Sequence, residues 1–205
     1  MKIVVAATDE QWNELTNSRP ETGWQRVSDC NDFMTNSDSD AFFSLNSQSI
    51  LPGFASLAKP VFINSVTQNL VDLKAPGNIL RINSWPGFLR RPTWEIAGEM
   101  NENIESVFEK MGIKINVVAD EPGFIAARII AMIINEAYFA VTDKVSSKKE
   151  IDTAMKLGTN YPYGPFEWAA LIGKSNILEL LQKLSLTDTR YQPAELLLKE
   201  VNENN

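Results

Sequence analysis

The chain has 205 residues, of which 44% are hydrophobic and 22% charged, as is ordinary for a globular protein with a buried core. Its formal net charge of −7 argues against nucleic-acid binding through a general basic surface. Cys30 is the only cysteine, so neither a disulfide framework nor a cysteine metal cluster is expected. The chain contains no histidine, which removes the commonest general base and metal ligand from any mechanism.

The hydropathy pattern contains no segment that is expected to cross a membrane. The longest apolar stretch, residues 129–141, is interrupted by Asn135 and Glu136. The opening run MKIVVAATDEQWNEL becomes acidic too early for a signal peptide. These features predict a cytoplasmic protein with no membrane partner.

The first 118 residues predict strands that alternate with helices. Thr8 is a predicted N-cap, and the acidic residues that follow it favour a helix through Leu15. Residues 100–111 have the apolar spacing of a helix that packs by one face. The predicted strands are residues 2–6, 24–27, 41–45, 61–64, 79–83 and 113–118. This alternation predicts a mainly parallel sheet in a first domain over residues 1–118.

From residue 119 onward the pattern predicts helices only. Residues 124–141 are apolar on most sides, as in a helix that is buried centrally or shared with a partner subunit. Ser146 or Ser147 with Glu150 predicts a capping box for the next helix, which Gly158 is expected to end. Further helices are predicted over residues 175–186 and from residue 193 to about 201. We therefore expect an α/β domain followed by an all-α domain over residues 119–205.

The turn after the first predicted strand lacks the glycines of a dinucleotide-binding fingerprint. Such glycines let the backbone approach a pyrophosphate at a helix N-terminus. Here no glycine occurs before Gly23, and the adjacent carboxylates of Asp9 and Glu10 would repel a phosphate. The sequence therefore predicts a plain βα unit, with no cofactor bound in the usual mode.

Residues 151–168, IDTAMKLGTNYPYGPFEW, join a helical pattern to a turn rich in proline and glycine. This run resembles a "DxAMKLGxGxPMGPFE" string in the C-terminal helical domain of the 3-hydroxyacyl-CoA dehydrogenase family. DEPGFI at residues 120–125 is similar to the family's "DxPGFI", and YQP at residues 191–193 is similar to the start of its "YRPSPLL". The resemblance implies a truncated Rossmann-like domain and a helical domain like the C-terminal one of 6-phosphogluconate dehydrogenase. It also implies an NAD-dependent oxidoreductase of fatty-acid metabolism that forms a homodimer through residues 119–205.

The family's working positions can be followed residue by residue. In the family, a histidine and a glutamate twelve residues later carry out the proton transfer, and the match places Asn83 and Glu95 at these positions. The substrate-positioning serine of an "SNTSS" turn corresponds to Ser65 or Thr67. The asparagine that follows "PGFIV" falls on Ala127. An asparagine amide can hydrogen-bond a hydroxyl group but cannot take its proton near neutral pH.

Three functions are consistent with these residues. The first is a degenerate family member that has lost hydride transfer and binds an acyl-CoA or a protein partner. The second is an active oxidoreductase on a 3-hydroxyacyl-CoA or related hydroxy acid, with Glu95 as its base. The third is an interaction module whose dimer surface is the functional part. We expect no NAD, because the glycine-rich turn is missing, and no metal.

Two neighbouring segments have alternative interpretations. The Trp85-Pro86-Gly87 turn either lines an apolar cleft or fills the space that a cofactor would occupy. Arg90-Arg91 either contacts a phosphate, such as that of CoA, or is a solvated pair.

Overall fold

The computed structural model describes residues 1–47 and 50–203. The chain divides into two compact units, Met1–Phe124, here called the sheet unit, and Ile125–Asn205, here called the helical unit. The sequence predicts the domain boundary after residue 118, at the end of the last predicted strand.

The sheet unit contains one seven-stranded sheet, counted over the described residues, in the order β2-β1-β3-β4-β5-β6-β7. All neighbouring strands are parallel except β5 and β6, which are antiparallel. The strands are β1 (Ile3–Ala6), β2 (Trp24–Val27), β3 (Ala41–Ser44), β4 (Val61–Asn64), β5 (Ile79–Ile82), β6 (Thr93–Ala97) and β7 (Lys114–Val117). The predicted α/β fold with a mainly parallel sheet is confirmed.

The strand β6 is missing from the prediction, whereas the last strand predicted over residues 113–118 is confirmed as β7. Pro92 precedes β6 and Glu95 interrupts its apolar run, which hides the strand pattern. The connection from β5 to β6 has no room for a crossover helix, so the two strands pair as antiparallel neighbours.

Two apolar clusters cover the two faces of the sheet. One contains Ile3 and Val5 together with residues of α1 (Asp9–Ser18) and α2 (Glu102–Lys110). The other contains Val4 and Ala6 with Phe33 and Phe54. Phe33 and Phe54 lie in the short 3₁₀ segments Cys30–Asn36 and Pro52–Ser56. Two short 3₁₀ segments therefore supply part of the cover on the second face of the sheet.

The helical unit begins with α3 (Ala126–Thr142), which is mostly apolar, as predicted, and starts two residues later and ends one residue later than the predicted range 124–141. A capping box between Ser147 and Glu150 opens α4, as predicted. The expectation that Gly158 ends this helix is wrong, since α4 continues through Thr159 and Asn160 provides the left-handed cap at φ 56°. The helices are α3 (Ala126–Thr142), α4 (Lys148–Thr159), α5 (Pro165–Ile172), α6 (Lys174–Ser185) and α7 (Glu195–Asn202).

The proline- and glycine-rich turn fixes a close approach between α4 and α5. A Cβ atom on Gly164 would lie 2.5 Å from the Cα of Asp152, so only glycine fits. The Asp152 carboxylate accepts a hydrogen bond from the Phe166 backbone N–H at 2.8 Å. Lys156 pairs with Glu167 across the same turn. This segment therefore determines how two helices cross.

One carboxylate joins four helices of this unit. Glu200 on α7 accepts hydrogen bonds from Lys148 of α4, from Tyr138 of α3 at 3.1 Å and from Lys174 of α6 at 2.6 Å. Partial burial acts to raise the pKa of Glu200, but the two lysines and the tyrosine outweigh it and lower the pKa to about 2. Burial of the Tyr138 side chain and the nearby Glu200 charge raise the pKa of Tyr138.

Candidate functional site

The carboxyl ends of the parallel strands meet at one edge of the sheet, where open α/β folds bind ligands. The strand order reverses between β1 and β3, and the segments that follow these strands form this edge together with those after β4 and β5. Gln11 of α1 reaches into this region, and its amide nitrogen donates to the Leu45 carbonyl at 2.9 Å and to the Ser84 hydroxyl at 3.3 Å. Asn64 donates to the same Leu45 carbonyl at 3.2 Å and accepts from the Ser84 backbone N–H at 3.2 Å. Neutral amides therefore connect the ends of three strands.

The three site residues predicted from the sequence lie in the neighbouring strands β4, β5 and β6 or directly after them. The parallel register pairs Asn64 with Ile82, and Ser65 and Asn83 are the residues that come next in each chain. The antiparallel register pairs Ile82 with Ile96, and the same one-residue extension brings Asn83 opposite Glu95. Directly opposite residues point to the same face of a sheet. The spacing of twelve residues between Asn83 and Glu95 is thus the spacing of a cross-strand pair.

Asn83 is buried directly after β5, and only one end of its side-chain amide has a hydrogen-bond partner among the described residues. Its side-chain oxygen accepts a hydrogen bond from the Trp85 backbone N–H at 3.1 Å. Because only an oxygen can accept from that donor, this bond fixes which end of the amide is nitrogen. The Nδ2 atom is enclosed and finds no acceptor among the described residues. The position that resembles the family's histidine therefore presents a hydrogen-bond donor.

Glu95 lies in the middle of β6 and is half-buried. Burial lowers the pKa of Arg91, while the charges of Glu95 and Glu14 act to raise it. Glu95 and Arg91 are therefore close enough for their charges to interact. The guanidinium of Arg91 stacks on the Phe88 ring at 3.8 Å from its centroid. The interpretation of Arg90-Arg91 as a solvated pair is therefore wrong for Arg91, and only Arg90 is exposed.

Ser65 and Thr67 are both buried in the turn after β4. The Ser65 hydroxyl donates to the Gln68 carbonyl at 2.8 Å, which closes the turn. Which of the two hydroxyls corresponds to the family's serine stays a prediction. Ala127 is fully buried in the first turn of α3 and has no polar group to offer a ligand.

Sequence reasoning missed a buried arginine beside this turn. Arg81, in the middle of β5, has no exposed surface and pairs with Asp120 at 2.5 Å. Its Nε donates to the Ser65 carbonyl at 2.9 Å, and its other nitrogens reach the carbonyls of Val66 and Glu121. The signal was present, because a lone arginine inside the apolar run ILRI needs a partner when the strand is central.

The turn after Asn83 packs into the molecule instead of lining an open cleft. Trp85 and Phe88 are both buried and meet edge to face at 6.5 Å. Glu14 of α1 and Arg19, which caps the end of α1, hold the turn, since Glu14 accepts from the Gly87 N–H and Arg19 donates to the Leu89 carbonyl at 2.8 Å. The second oxygen of Glu14 is buried and has no hydrogen-bond partner among the described residues.

The N-terminus of α1 does not fit a pyrophosphate. Thr8 and Gln11 form a reciprocal capping box, which occupies backbone N–H groups that an anion would need. Asp9 in the first turn pairs with Arg26 at 2.7 Å and adds negative charge. We therefore derive no step of any reaction through a dinucleotide at this turn.

Comparison with known proteins relates this chain to a family of dehydrogenases. Residues 123–205 match the family described as 3-hydroxyacyl-CoA dehydrogenase, C-terminal domain. The chain is 46% identical over 91 residues to the 3-hydroxyadipyl-CoA dehydrogenase of Escherichia coli (strain K12), which covers 43% of this chain and 19% of that protein. It is 35% identical over 148 residues to the 3-hydroxybutyryl-CoA dehydrogenase of Clostridioides difficile, covering 68% of this chain and 53% of that protein.

The fold also matches that of a solved structure over nearly the whole chain. The crystal structure of (S)-3-hydroxybutyryl-CoA dehydrogenase PaaH1 from Ralstonia eutropha superposes with a TM-score of 0.74 at 18% identity, covering 99% of this chain and 93% of that one. Residues 123–205 thus match the C-terminal domain of the 3-hydroxyacyl-CoA dehydrogenase family, and the two curated relatives are themselves dehydrogenases of 3-hydroxyacyl-CoA substrates. The chain spans about half or less of the length of the two curated relatives it matches.

The expectation that the chain takes no cofactor is wrong. Its relatives are dehydrogenases, and removal of a hydride from a hydroxyacyl group needs an acceptor such as NAD, because no side chain supplies that chemistry. A glycine-rich turn is only one part of a cofactor-binding site, so the lack of its glycines did not exclude a cofactor.

Neither a metal-binding cluster nor a membrane-spanning helix occurs among the described residues. Residues 1–47 and 50–203 contain no cluster of acidic, cysteine or histidine side chains that could hold a metal ion. No helix in the same ranges has the length and apolar character needed to span a bilayer.

Proposed function

We propose that the chain is a 3-hydroxyacyl-CoA dehydrogenase-type protein that binds an acyl-CoA ligand and is impaired in hydride transfer. The observation that carries this proposal is Asn83, an amide directly after β5, at the position where the resemblance implies a histidine and opposite Glu95 by the antiparallel register. A general base contributes about 10²- to 10⁴-fold to the rate of a proton transfer. An amide cannot act as that base, and the chain has no histidine to replace it.

The binding half of the proposal is tested with the whole chain and 3-hydroxybutyryl-CoA. A ligand that binds the folded state raises the unfolding temperature with its concentration, so we expect a saturable upward shift. The absence of any shift at millimolar ligand would contradict acyl-CoA binding. Free CoA is the control that separates recognition of the acyl group from recognition of the nucleotide.

The catalytic half is tested by NADH formation from the same ligand with NAD, followed between pH 5 and 9. We expect a rate near the uncatalysed background, and any residual rate should lack an inflection near pH 6.5, because no imidazole titrates. A well-defined inflection at that pH would require another group with a strongly shifted pKa and would contradict the proposal.

A second candidate function is an active oxidoreductase in which Glu95 takes the proton. Its place opposite Asn83 favours this assignment. The change Glu95→Gln keeps the shape of the side chain and removes the base, so turnover should fall by about 10²-fold or more. Turnover that Glu95→Gln leaves unchanged would exclude this role.

We also propose that the helical unit binds a second copy of the chain. A groove of about 490 Å³ runs along α3, α4 and α5, and its lining is almost entirely apolar. It is lined by Met132, Ile133, Glu136, Ala137, Ala140, Ile151, Met155 and Pro165. Ile129 of α3 lies one turn before Met132 and Ile133, and half of its surface is exposed. An apolar face of this kind is typical of a protein–protein contact.

Light scattering at micromolar concentration tests this contact. The wild type should be a dimer, and Ile129→Glu should shift it toward the monomer by placing a charge in the apolar contact. Leu186→Glu is the matched control, because Leu186 is 80% exposed outside the groove and its change should leave the dimer intact. A monomeric wild type would contradict the proposal.

A further inference from the structure

The strand β7 leaves one side of its backbone unpaired at the edge of the sheet. It pairs with β6, and no further strand among residues 1–47 and 50–203 pairs with its other side. The N–H groups of Lys114 and Val118 donate at 2.9 Å to carbonyls of β6 and of the residue before it, so alternate residues of β7 face β6. The backbone N–H and C=O groups of Ile115 and Val117 therefore point outward, where another extended chain can pair with them.

This edge has few of the features that prevent edge strands from pairing. Proteins protect such edges with prolines, bulges, charged side chains or a covering element. The strand β7 contains no proline, and its only charged residue, Lys114, stands at its first position. At the other end of the strand Val117 is 54% exposed. An edge strand of this kind is suited to the addition of a strand from another chain.

A groove of about 730 Å³ lies beside this edge, and it is lined by α2, by β7 and by the turn between them. Its apolar lining includes the buried side chains of Phe108 and Ile113 and the partly buried Ile115. Gly112 leaves the groove open, because a Cβ atom on this residue would meet nothing within 4 Å. A strand added to β7 would place alternate side chains on the face of the sheet that holds this groove.

Two carboxylates border the same groove. Glu105 and Glu109 lie one helical turn apart on α2, and both are exposed. Neither carboxylate takes part in an ion pair within the part of the chain that the structure describes. Lys114 is the one cation of the lining, and strand alternation turns its side chain to the face opposite Ile115. The groove therefore matches long cationic side chains, whose stems cover apolar surface while their charges reach a carboxylate.

We propose that the β7 edge and its groove bind an extended peptide segment of a partner protein, with lysine or arginine at alternate positions, as a further strand of the sheet. Backbone hydrogen bonds to Ile115 and Val117 supply affinity, and the two carboxylates select basic side chains. A second copy of the chain fits less well, because it would bring the carboxylates of its own Glu105 and Glu109 to the contact. Peptide binding at β7 requires no acyl-CoA ligand, and its failure would leave the proposed function untouched.

The test titrates the full chain with an acetylated and amidated peptide of alternating threonine and arginine, followed by amide hydrogen exchange in NMR spectra. Exchange of the Ile115 and Val117 N–H groups should be fast in the free protein and about tenfold or more slower with saturating peptide. A peptide of alternating threonine and glutamate is the control for charge. An arginine peptide with proline in place of threonine is the control for backbone pairing, and neither control peptide should bind.

A change at position 117 tests the backbone contact from the side of the protein. Val117→Pro removes one outward N–H and keeps the bonds to β6, since proline is tolerated on the open side of an edge strand. It should abolish binding of the arginine peptide. Val117→Thr is the matched control, because it keeps the N–H and the branched side chain and should bind like the wild type.

Removal of the two carboxylates tests the selection of basic side chains. Glu105→Gln together with Glu109→Gln should weaken binding of the arginine peptide about threefold to tenfold and reduce its dependence on salt. Glu10→Gln together with Glu21→Gln is the matched control for the lost charge, because these exposed carboxylates lie outside the groove. This control should change the affinity by less than about twofold.

Protection of Ile115 and Val117 by the arginine peptide alone supports the inference, whether or not Val117→Pro folds. Binding without protection of these two amides would overturn it, since the attraction would then be one of charge only. Equal binding of the glutamate peptide, or no binding of the arginine peptide, would overturn it as well. Protection that appears without peptide as the protein concentration rises would show that a second copy covers the edge, and would contradict the proposed partner.

Discussion

In the helical unit, the segment that most resembles the dehydrogenase family serves packing, whereas the sheet unit carries Asn83 where the resemblance implies a histidine. Gly164 cannot carry a side chain, because Asp152 of the neighbouring helix leaves no space for one. Asn83, by contrast, satisfies its backbone neighbour and leaves a donor without a partner. A packing constraint keeps a sequence recognisable, while a catalytic position can change without loss of the fold.

Removal of the buried ion pair of the sheet unit should give the largest effect on stability. It also tests whether the two units respond separately. Arg81→Met should destabilise the sheet unit by about 3–5 kcal/mol, because Asp120 loses its cation and several buried carbonyls lose a donor. Hydrogen exchange, which reports on each unit separately, should show faster exchange in β4 and β5. Arg26→Met removes an exposed pair with Asp9 and should cost less than about 1 kcal/mol.

If Arg81→Met accelerates exchange equally throughout residues 125–203, the two units do not respond independently. The contrast between them would then need revision.

Two glycines in the family-like segment sharpen the comparison within the helical unit. Gly164→Ala forces a methyl group against the backbone of Asp152 and should destabilise this unit by about 1–3 kcal/mol or more. Gly158→Ala is the matched control, since it lies within α4 with open space around its Cα. It should stabilise the helix by about 0.5–1 kcal/mol. Urea unfolding followed by circular dichroism measures both, and equal effects of the two changes would contradict the packing role of Gly164.

The pH dependence of the helical unit gives a smaller effect. Glu200 has a folded-state pKa of about 2, below the ordinary value near 4.5, so its contribution is present above pH 4.5 and is lost as the pH falls toward 2. Glu200→Gln should cost on the order of 1 kcal/mol near neutral pH, because solvent screens lysines that are 40% and 35% exposed. Urea midpoints of wild type and variant should converge by pH 2. A constant difference between them at all pH values would contradict the role of the Glu200 charge.

Much of the fold could be predicted from sequence, because short β-branched runs and capping residues carry local signals. The strands Trp24–Val27 and Val61–Asn64 occur with the predicted bounds, and the Ser147 capping box opens α4. The strand β6 could not be recognised, since its apolar positions are separated by Glu95 and its partner β5 precedes it by a whole turn. Pairing of that kind is not a local property.

The candidate site was only partly accessible from sequence. The spacing of Asn83 and Glu95 indicated the pair, and the sheet register explains it. Glu14 and Arg19, which hold the turn after Asn83, gave no signal, because their partners are backbone groups about 70 residues away in sequence. Tertiary hydrogen bonds to the backbone leave no trace in a residue pattern.

We propose above that an amide at position 83 impairs hydride transfer by this chain. The most direct test measures NADH formation from 3-hydroxybutyryl-CoA and NAD by the wild type and by Asn83→His under identical conditions. The account predicts a rate at least about 10²-fold higher for Asn83→His, with an inflection near pH 6.5 that the wild type lacks. A wild type that turns over at about 10 s⁻¹, unimproved by the histidine, would contradict it.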